Sequence, residues 1–267
     1  MILFIYEGKK TEPRIFNNIK NIFFSKEKIV EIGLHEDSFG GSIYDLYFSL
    51  GINNPDFDIS DLDIIELMKN RSDVLKEYSR DDFSEIYLFF DLDIQRSLDS
   101  CQMVIKKMLE LFDNETENGK LYINYPMVES LKDIKKCHQC NEQCFVNNAE
   151  VSNYKEHVGE RSEFLDIRKF GIEEWEHFTQ QAVKKTNCVM NGRYLMTISY
   201  RDFIETMNQI NIFGAHEEKF FTKDKTVILN SIPLFLLEYF GETLWDKFIK
   251  CPIGKYETEE SLNCSLK

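Results

Sequence analysis

Met1-Ile2-Leu3-Phe4-Ile5-Tyr6-Glu7-Gly8-Lys9-Lys10-Thr11-Glu12-Pro13 opens the chain, and its reading decides the fold. The apolar, β-branched and aromatic run from Met1 to Tyr6 is the pattern of a buried strand, and the glycine and lysines that follow end it in a loop. Glu7 therefore falls at the carboxyl edge of the strand, where open α/β sheets bind their ligands because loops and helix N-termini converge there. Thr11 is suited to cap the next helix, Pro13 to occupy its first turn, and Glu12 to lie where the helix dipole favours negative charge. Glu12 thus has a structural explanation. Glu7 does not, since ending a strand requires no carboxylate.

Working outward, Ile15, Phe16, Ile19, Ile22 and Phe23 recur at helical spacing, and Ile29-Val30-Glu31-Ile32 reads as a second strand. Gly40-Gly41-Ser42 opens a helix over Ile43 to Leu50; without a following lysine and hydroxyl pair it is not a phosphate loop of the Walker kind. Another helix is expected over Ser60 to Tyr78, with Asp61, Asp63 and Glu66 as first-turn charge and solvated face. Next comes Ile86-Tyr87-Leu88-Phe89-Phe90-Asp91-Leu92-Asp93. Five consecutive apolar residues fit a central strand covered on both faces, and two carboxylates end it. Residues two apart in an extended chain point the same way, so Asp91 and Asp93 can serve one site. Like charges so close repel unless a cation lies between them, and hard oxygen ligands suit Mg²⁺ or Mn²⁺. A helix over Leu98 to Phe112, a strand over Leu121 to Asn124, and a helix starting in Tyr125 to Ser130 with Glu129 in its first turn complete this half.

The Glu7-Gly8-Lys9-Lys10-Thr11-Glu12-Pro13 stretch, followed by an apolar strand ending in Asp91-Leu92-Asp93, resembles the Toprim metal-binding domain of topoisomerases, primases and overcoming-lysogenization-defect (OLD) nucleases. With Pro126-x-x-Glu129 it is similar more specifically to the RloB-like, abortive-infection branch. The resemblance spans roughly residues 1–130. It implies a Toprim-like (Rossmann-like) α/β fold with a mainly parallel sheet flanked by helices, and a Mg²⁺- or Mn²⁺-dependent nuclease of bacterial anti-phage defence. Glu7 would act in general acid/base chemistry or metal binding, Asp91 and Asp93 would hold the metal, and Glu12 and Glu129 would be further ligands. An ATPase partner and a homo-oligomer are implied with it. Independently of the family, Lys9 and Lys10 beside a helix N-terminus are placed to contact a backbone phosphate. A haloacid-dehalogenase-type phosphatase also places Asp-x-Asp after an apolar strand, but it expects a hydroxyl residue soon after, and Ile94-Gln95-Arg96 follow here. A non-catalytic binding subunit of a defence complex is the reading from another class.

The remainder departs from the family. A helical insert is expected at about 36–80, the catalytic domain over 1–135, and a mostly helical C-terminal region over 136–267. Glu173 to Lys185, Tyr200 to Ile210 and Ser231 to Phe248 read as helices, with Trp175, Phe178, Trp245 and Phe248 as core. Cys137, Cys140 and Cys144 have the reach of a zinc knuckle, and His138, His157 or Cys188 could complete a tetrahedral structural Zn²⁺ site; the other reading is a polar loop with free thiols. With 46 acidic and 32 basic residues, the formal charge of −14 argues against an autonomous DNA-binding module but not against an enzyme whose carboxylates hold metal. Seven cysteines without a signal peptide or a bilayer-length apolar run lead us to expect a cytosolic protein with no membrane association.

Overall fold

The computed structural model describes residues 1–34, 41–70, 72–92, 98–137, 142–197 and 199–250. The chain divides into two compact units, Met1–Ile123 and Asn124–Lys267.

In the first unit, strand β1 (Ile2–Tyr6) is buried at every residue, as its unbroken apolar sequence requires. It leads through helix α1 (Thr11–Phe23) to strand β2 (Ile29–Gly33), with which it pairs in parallel from Ile2↔Ile29 to Tyr6↔Gly33. The insert carries α2 (Ile43–Ser49) and α3 (Ile64–Lys69). Strand β3 (Glu85–Asp91) then pairs in parallel with the other side of β1, from Ile2↔Glu85 to Tyr6↔Phe89. Helix α4 (Leu98–Leu111), the short β4 (Asp113–Asn114) and β5 (Gly119–Asn124) follow. The sheet is therefore five-stranded and mainly parallel, ordered β2-β1-β3-β5-β4, with the β4–β5 pair antiparallel. Gly119, at φ +118°, lies where a Cβ would stand 2.8 Å from Leu88, so a side chain there would break the packing against β3.

Helix α1 buries Ile15, Phe16 and Ile19 against the sheet. The Phe16 ring centroid lies 5.0 Å from Tyr6, 5.2 Å from Phe4 and 4.7 Å from Phe89, joining the helix to both central strands. Rings buried this completely contribute about 2–3 kcal/mol each. Across β1 and β2 the Tyr6 hydroxyl donates to Glu31, which also pairs with Lys20 of α1.

The single helix expected over Ser60 to Tyr78 is instead a series of short turns around α3. Asp58 accepts from the Ser60 amide, starting a 3₁₀ turn over Ile59–Asp61, and Asp63 accepts from the Ile65 and Glu66 amides, starting α3. Short polar side chains thus divert the backbone from one continuous helix. Glu66 lies in the first turn of α3 and pairs with Lys69.

The second unit starts inside β5 because Asn124 is tied to it: Asn124 Oδ1 accepts from the amide and hydroxyl of Ser231 at 3.1 and 2.9 Å. Tyr125 forms an antiparallel bridge with Leu229. The division therefore precedes the Pro126-x-x-Glu129 segment, earlier than the boundary expected near 135. That segment is a 3₁₀ turn, Val128–Lys132, rather than the start of a helix. A short antiparallel pair, β6 (Phe145–Asn147) and β7 (Lys225–Val227), was not expected. Among the described residues this unit also carries helices α5 (Asn148–Val151), α6 (Tyr154–Arg161), α7 (Ile172–Asn191), α8 (Tyr200–Thr206), α9 (Gln209–Lys219) and α10 (Ile232–Phe248). Asn208 caps α9 through the Asn211 amide, so the expected Tyr200–Ile210 helix is two helices. Trp175, Phe178, Trp245 and Phe248 are all buried, as core. Gly241 interrupts α10 at φ 60°, ψ −146°, a conformation that side-chain-bearing residues scarcely adopt. No helix among the described residues is long and apolar enough to cross a membrane.

Candidate functional site at the carboxyl edge of the sheet

Parallel pairing puts the carboxyl ends of β1, β2 and β3 on one edge, so the residues just beyond Tyr6 and Phe90 must meet there. The half-buried Glu7 does so: its Oε2 accepts from the Asp91 amide at 3.2 Å, joining segments 84 residues apart. The strand ends are closed around it. The Leu34 amide donates to the Tyr6 carbonyl at 2.7 Å, extending β2 past its last paired residue. Gly41 packs where a Cβ would fall 2.6 Å from the Leu34 carbonyl oxygen and 3.2 Å from that of Glu7. The glycine thus serves close backbone approach. Ser42 and Asp45 then form a reciprocal capping box on α2, and Tyr44 donates to the Leu92 carbonyl at 3.2 Å.

Glu12 is 5 % exposed, and its carboxylate folds back over Gly8, where a Cβ would overlap both carboxylate oxygens. Two carboxylate-bearing side chains are therefore held on the short loop after β1. Burying Glu12 is costly unless positive or hydrogen-bonding partners compensate, and the first turn of α1 supplies a favourable dipole end. Its charge is felt nearby: burial first, then the charge and hydrogen bond of Glu31, and last the charge of Glu12 push the Tyr6 phenol above its ordinary range. The helix begins at Thr11, with Lys10 in the cap position, so Thr11 is its first residue and not its cap. Pro13 lies in the first turn, as expected. Lys9 and Lys10 are exposed at the rim of the loop.

Asp91 is the last residue of β3 and partly exposed, while Asp93 lies outside the described residues. Glu129 belongs to the second unit, is 4 % exposed and pairs with Lys155 at 2.8 Å. Among the described residues no three His, Cys, Asp or Glu side chains stand together as a ready cation site. The carboxylates of Glu7, Glu12 and Asp91 are hard oxygen donors, the type that Mg²⁺ and Mn²⁺ accept.

The sulfur cluster is placed only in part. Cys137 is in a disulfide, Cys144 is a free buried thiol, and Cys140 and His138 lie outside the described residues. As it stands, Cys137 is not a thiolate ligand. His157 is exposed on α6, and Cys188 is buried on α7 and not in a disulfide.

Two buried polar residues, His216 and Lys185, lie outside every expected site. His216 is 1 % exposed with neither ring nitrogen hydrogen-bonded, its ring 5.4 Å from that of Tyr125, whose buried hydroxyl also lacks a partner. Lys185 is 2 % exposed and donates to the Asp133 carbonyl at 3.0 Å. The signal for Lys185 was its place between Val183 and Cys188 on the apolar side of a strongly patterned helix.

No protein family, curated protein or solved structure matches the chain.

Proposed function

We propose that the chain is a divalent-metal-dependent phosphodiesterase that cleaves nucleic acid at the carboxyl edge of β1 and β3. One observation carries this reading: Glu7 is held against the Asp91 amide while Glu12 is folded back on the adjoining loop, so acidic residues far apart in sequence converge where α/β sheets bind ligands. The resemblance to the Toprim domain of the RloB-like branch supports it from a separate direction.

Glu7, Asp91 and Asp93 are the residues that would hold Mg²⁺ or Mn²⁺, with Glu12 next to them. Bound there, the ion supplies charge neutralisation at the phosphate and a lowered pKa for the attacking water. The chain's own residues do the rest. Glu7 accepts a proton, its carboxylate kept in one orientation by the Asp91 amide. Lys9 and Lys10, exposed beside the α1 N-terminus, contact the flanking phosphates and set the register of the strand being cut. In the cell the activity would act in anti-phage defence, with an ATPase partner and a homo-oligomeric state, as the resemblance implies.

The test is cleavage of plasmid DNA and of total tRNA by the purified chain with Mg²⁺, Mn²⁺ or chelator. We expect cutting that chelator abolishes and that Glu7→Gln and Asp91→Asn each reduce by roughly 10²–10⁴-fold. Cutting that persists in chelator, or in both variants, refutes the proposal, and the polymer that is cut identifies the substrate.

A further inference from the structure

Tyr44 of α2 is a phenol that the cleavage chemistry does not call on. It is 2 % exposed, and its hydroxyl donates to the carbonyl of Leu92, the first residue beyond β3, at 3.2 Å. The β1–β3 register runs to Tyr6↔Phe89, so Asp91 stands two residues past the last of those pairs. Two side chains tie this stretch down. Glu7 Oε2 accepts from the Asp91 amide on one side, and Tyr44 holds the Leu92 carbonyl on the other. With an anchor before it and one after it, the Asp91 backbone has little freedom to turn.

Tyr44 can serve as an anchor because α2 is itself fixed. Ile43 and Leu46 are fully buried and Tyr47 nearly so, which seats the helix by its apolar side. Its first turn is closed by the capping box, in which the Asp45 carboxylate accepts from the Ser42 amide at 3.2 Å and Ser42 Oγ accepts from the Asp45 amide at 3.4 Å. Gly41, just ahead of that box, packs so closely on the Leu34 and Glu7 carbonyls that no Cβ fits. The segment from Gly41 to Tyr44 thus touches the first residue beyond each of three parallel strands: Glu7 after β1, Leu34 after β2 and Leu92 after β3. Packing alone would be met by phenylalanine at position 44, which fills the same space; the hydroxyl adds an anchor.

We infer that α2 braces the carboxylate edge and that Tyr44 is a positioning residue for it, fixing the backbone beyond Asp91 and, through the Asp91 amide, the orientation of the Glu7 carboxylate. The inference rests on the reading of Glu7 and Asp91 as the cleavage site. Misplacing a reacting group by about 1 Å costs on the order of 10²-fold in rate, so loss of the anchor falls on turnover. Substrate binding, assigned to Lys9 and Lys10 at the rim of the loop, is left as it was.

Tyr44→Phe keeps the ring and removes the bond. Amide hydrogen exchange read residue by residue should show Asp91 roughly tenfold faster in this variant, with the interior amides of β1 unchanged. In Mg²⁺ its kcat for cleavage should fall roughly 10–100-fold at an unchanged KM. Tyr47→Phe removes a hydroxyl from the same helix and should alter neither. Wild-type exchange at Asp91 in folded Tyr44→Phe, or an equal effect in Tyr47→Phe, overturns the inference. So does an unchanged kcat beside faster exchange. An Asp91 amide that exchanges freely in the wild type overturns it too, without any variant having to fold. If the wild type cuts nothing, the cleavage reading falls, and exchange at Asp91 alone decides whether Tyr44 is the brace.

Discussion

Gly8 and Glu12 show how one missing side chain shapes the proposed site. Because a Cβ at position 8 would occupy the space of the Glu12 carboxylate, Gly8→Ala must push Glu12 outward. The obstacle is the end of a side chain and not backbone, so the fold should survive. We expect at least a tenfold loss of metal-dependent cleavage with the thermal midpoint shifted by only a few degrees, measured on the same preparation. His216 makes a separate prediction. Burial pushes its imidazole down from 6.5 to about 4, so the folded chain keeps it neutral while the unfolded chain binds a proton below pH 6.5. Stability that is fully present above pH 6.5 is therefore lost as pH falls toward 4, by up to about 3 kcal/mol. The groups against the ring are Phe213, Phe221 and Tyr125, and Glu217 is within electrostatic reach of Tyr125. Both tryptophans, Trp175 and Trp245, are buried in this unit, so their fluorescence in urea follows it selectively. The midpoint should drop between pH 6.5 and 4.5, and His216→Phe should flatten that dependence; an equal drop in the variant would show that other groups titrate.

At the scale of elements, strands were easier to read than helices in this chain. The runs Ile2 to Tyr6 and Ile86 to Phe90 admit little but covered strands, and parallel pairing on both sides of β1 then forces their ends onto one edge. That is why the meeting of Glu7 with Asp91 was legible from the sequence. The folding back of Glu12 was not, because a first-turn acid is equally well explained by the dipole. Ser60 to Tyr78 was misread because apolar spacing says nothing of competition from Asp58 and Asp63 for backbone amides. Three-residue strands such as β6 and β7 are too short to show a period at all. Asp63 now carries a testable load: Asp63→Ala removes two bonds to the start of α3, at 2.8 and 3.1 Å, and should cost about 1 kcal/mol. Hydrogen exchange at the Ile65 and Glu66 amides should accelerate before that of β1.

For the molecule as a whole, charge governs which surfaces it can approach. At −14 the chain repels a polyanion, and the exposed Lys9 and Lys10 are too few to reverse that alone. We expect no retention of tRNA or duplex DNA in chelator at about 0.15 M salt, with binding gained on adding Mg²⁺ or a basic partner protein; tight binding in chelator would contradict the reading. The break at Gly241 bears on how the chain comes apart. A helix loses its ends turn by turn because each amide bond props up the next, and an interruption halts that relay. Unravelling that begins after Phe248 is therefore arrested at residue 241, leaving the stretch that carries Leu234, Phe235, Leu236 and Leu237 wound and dry.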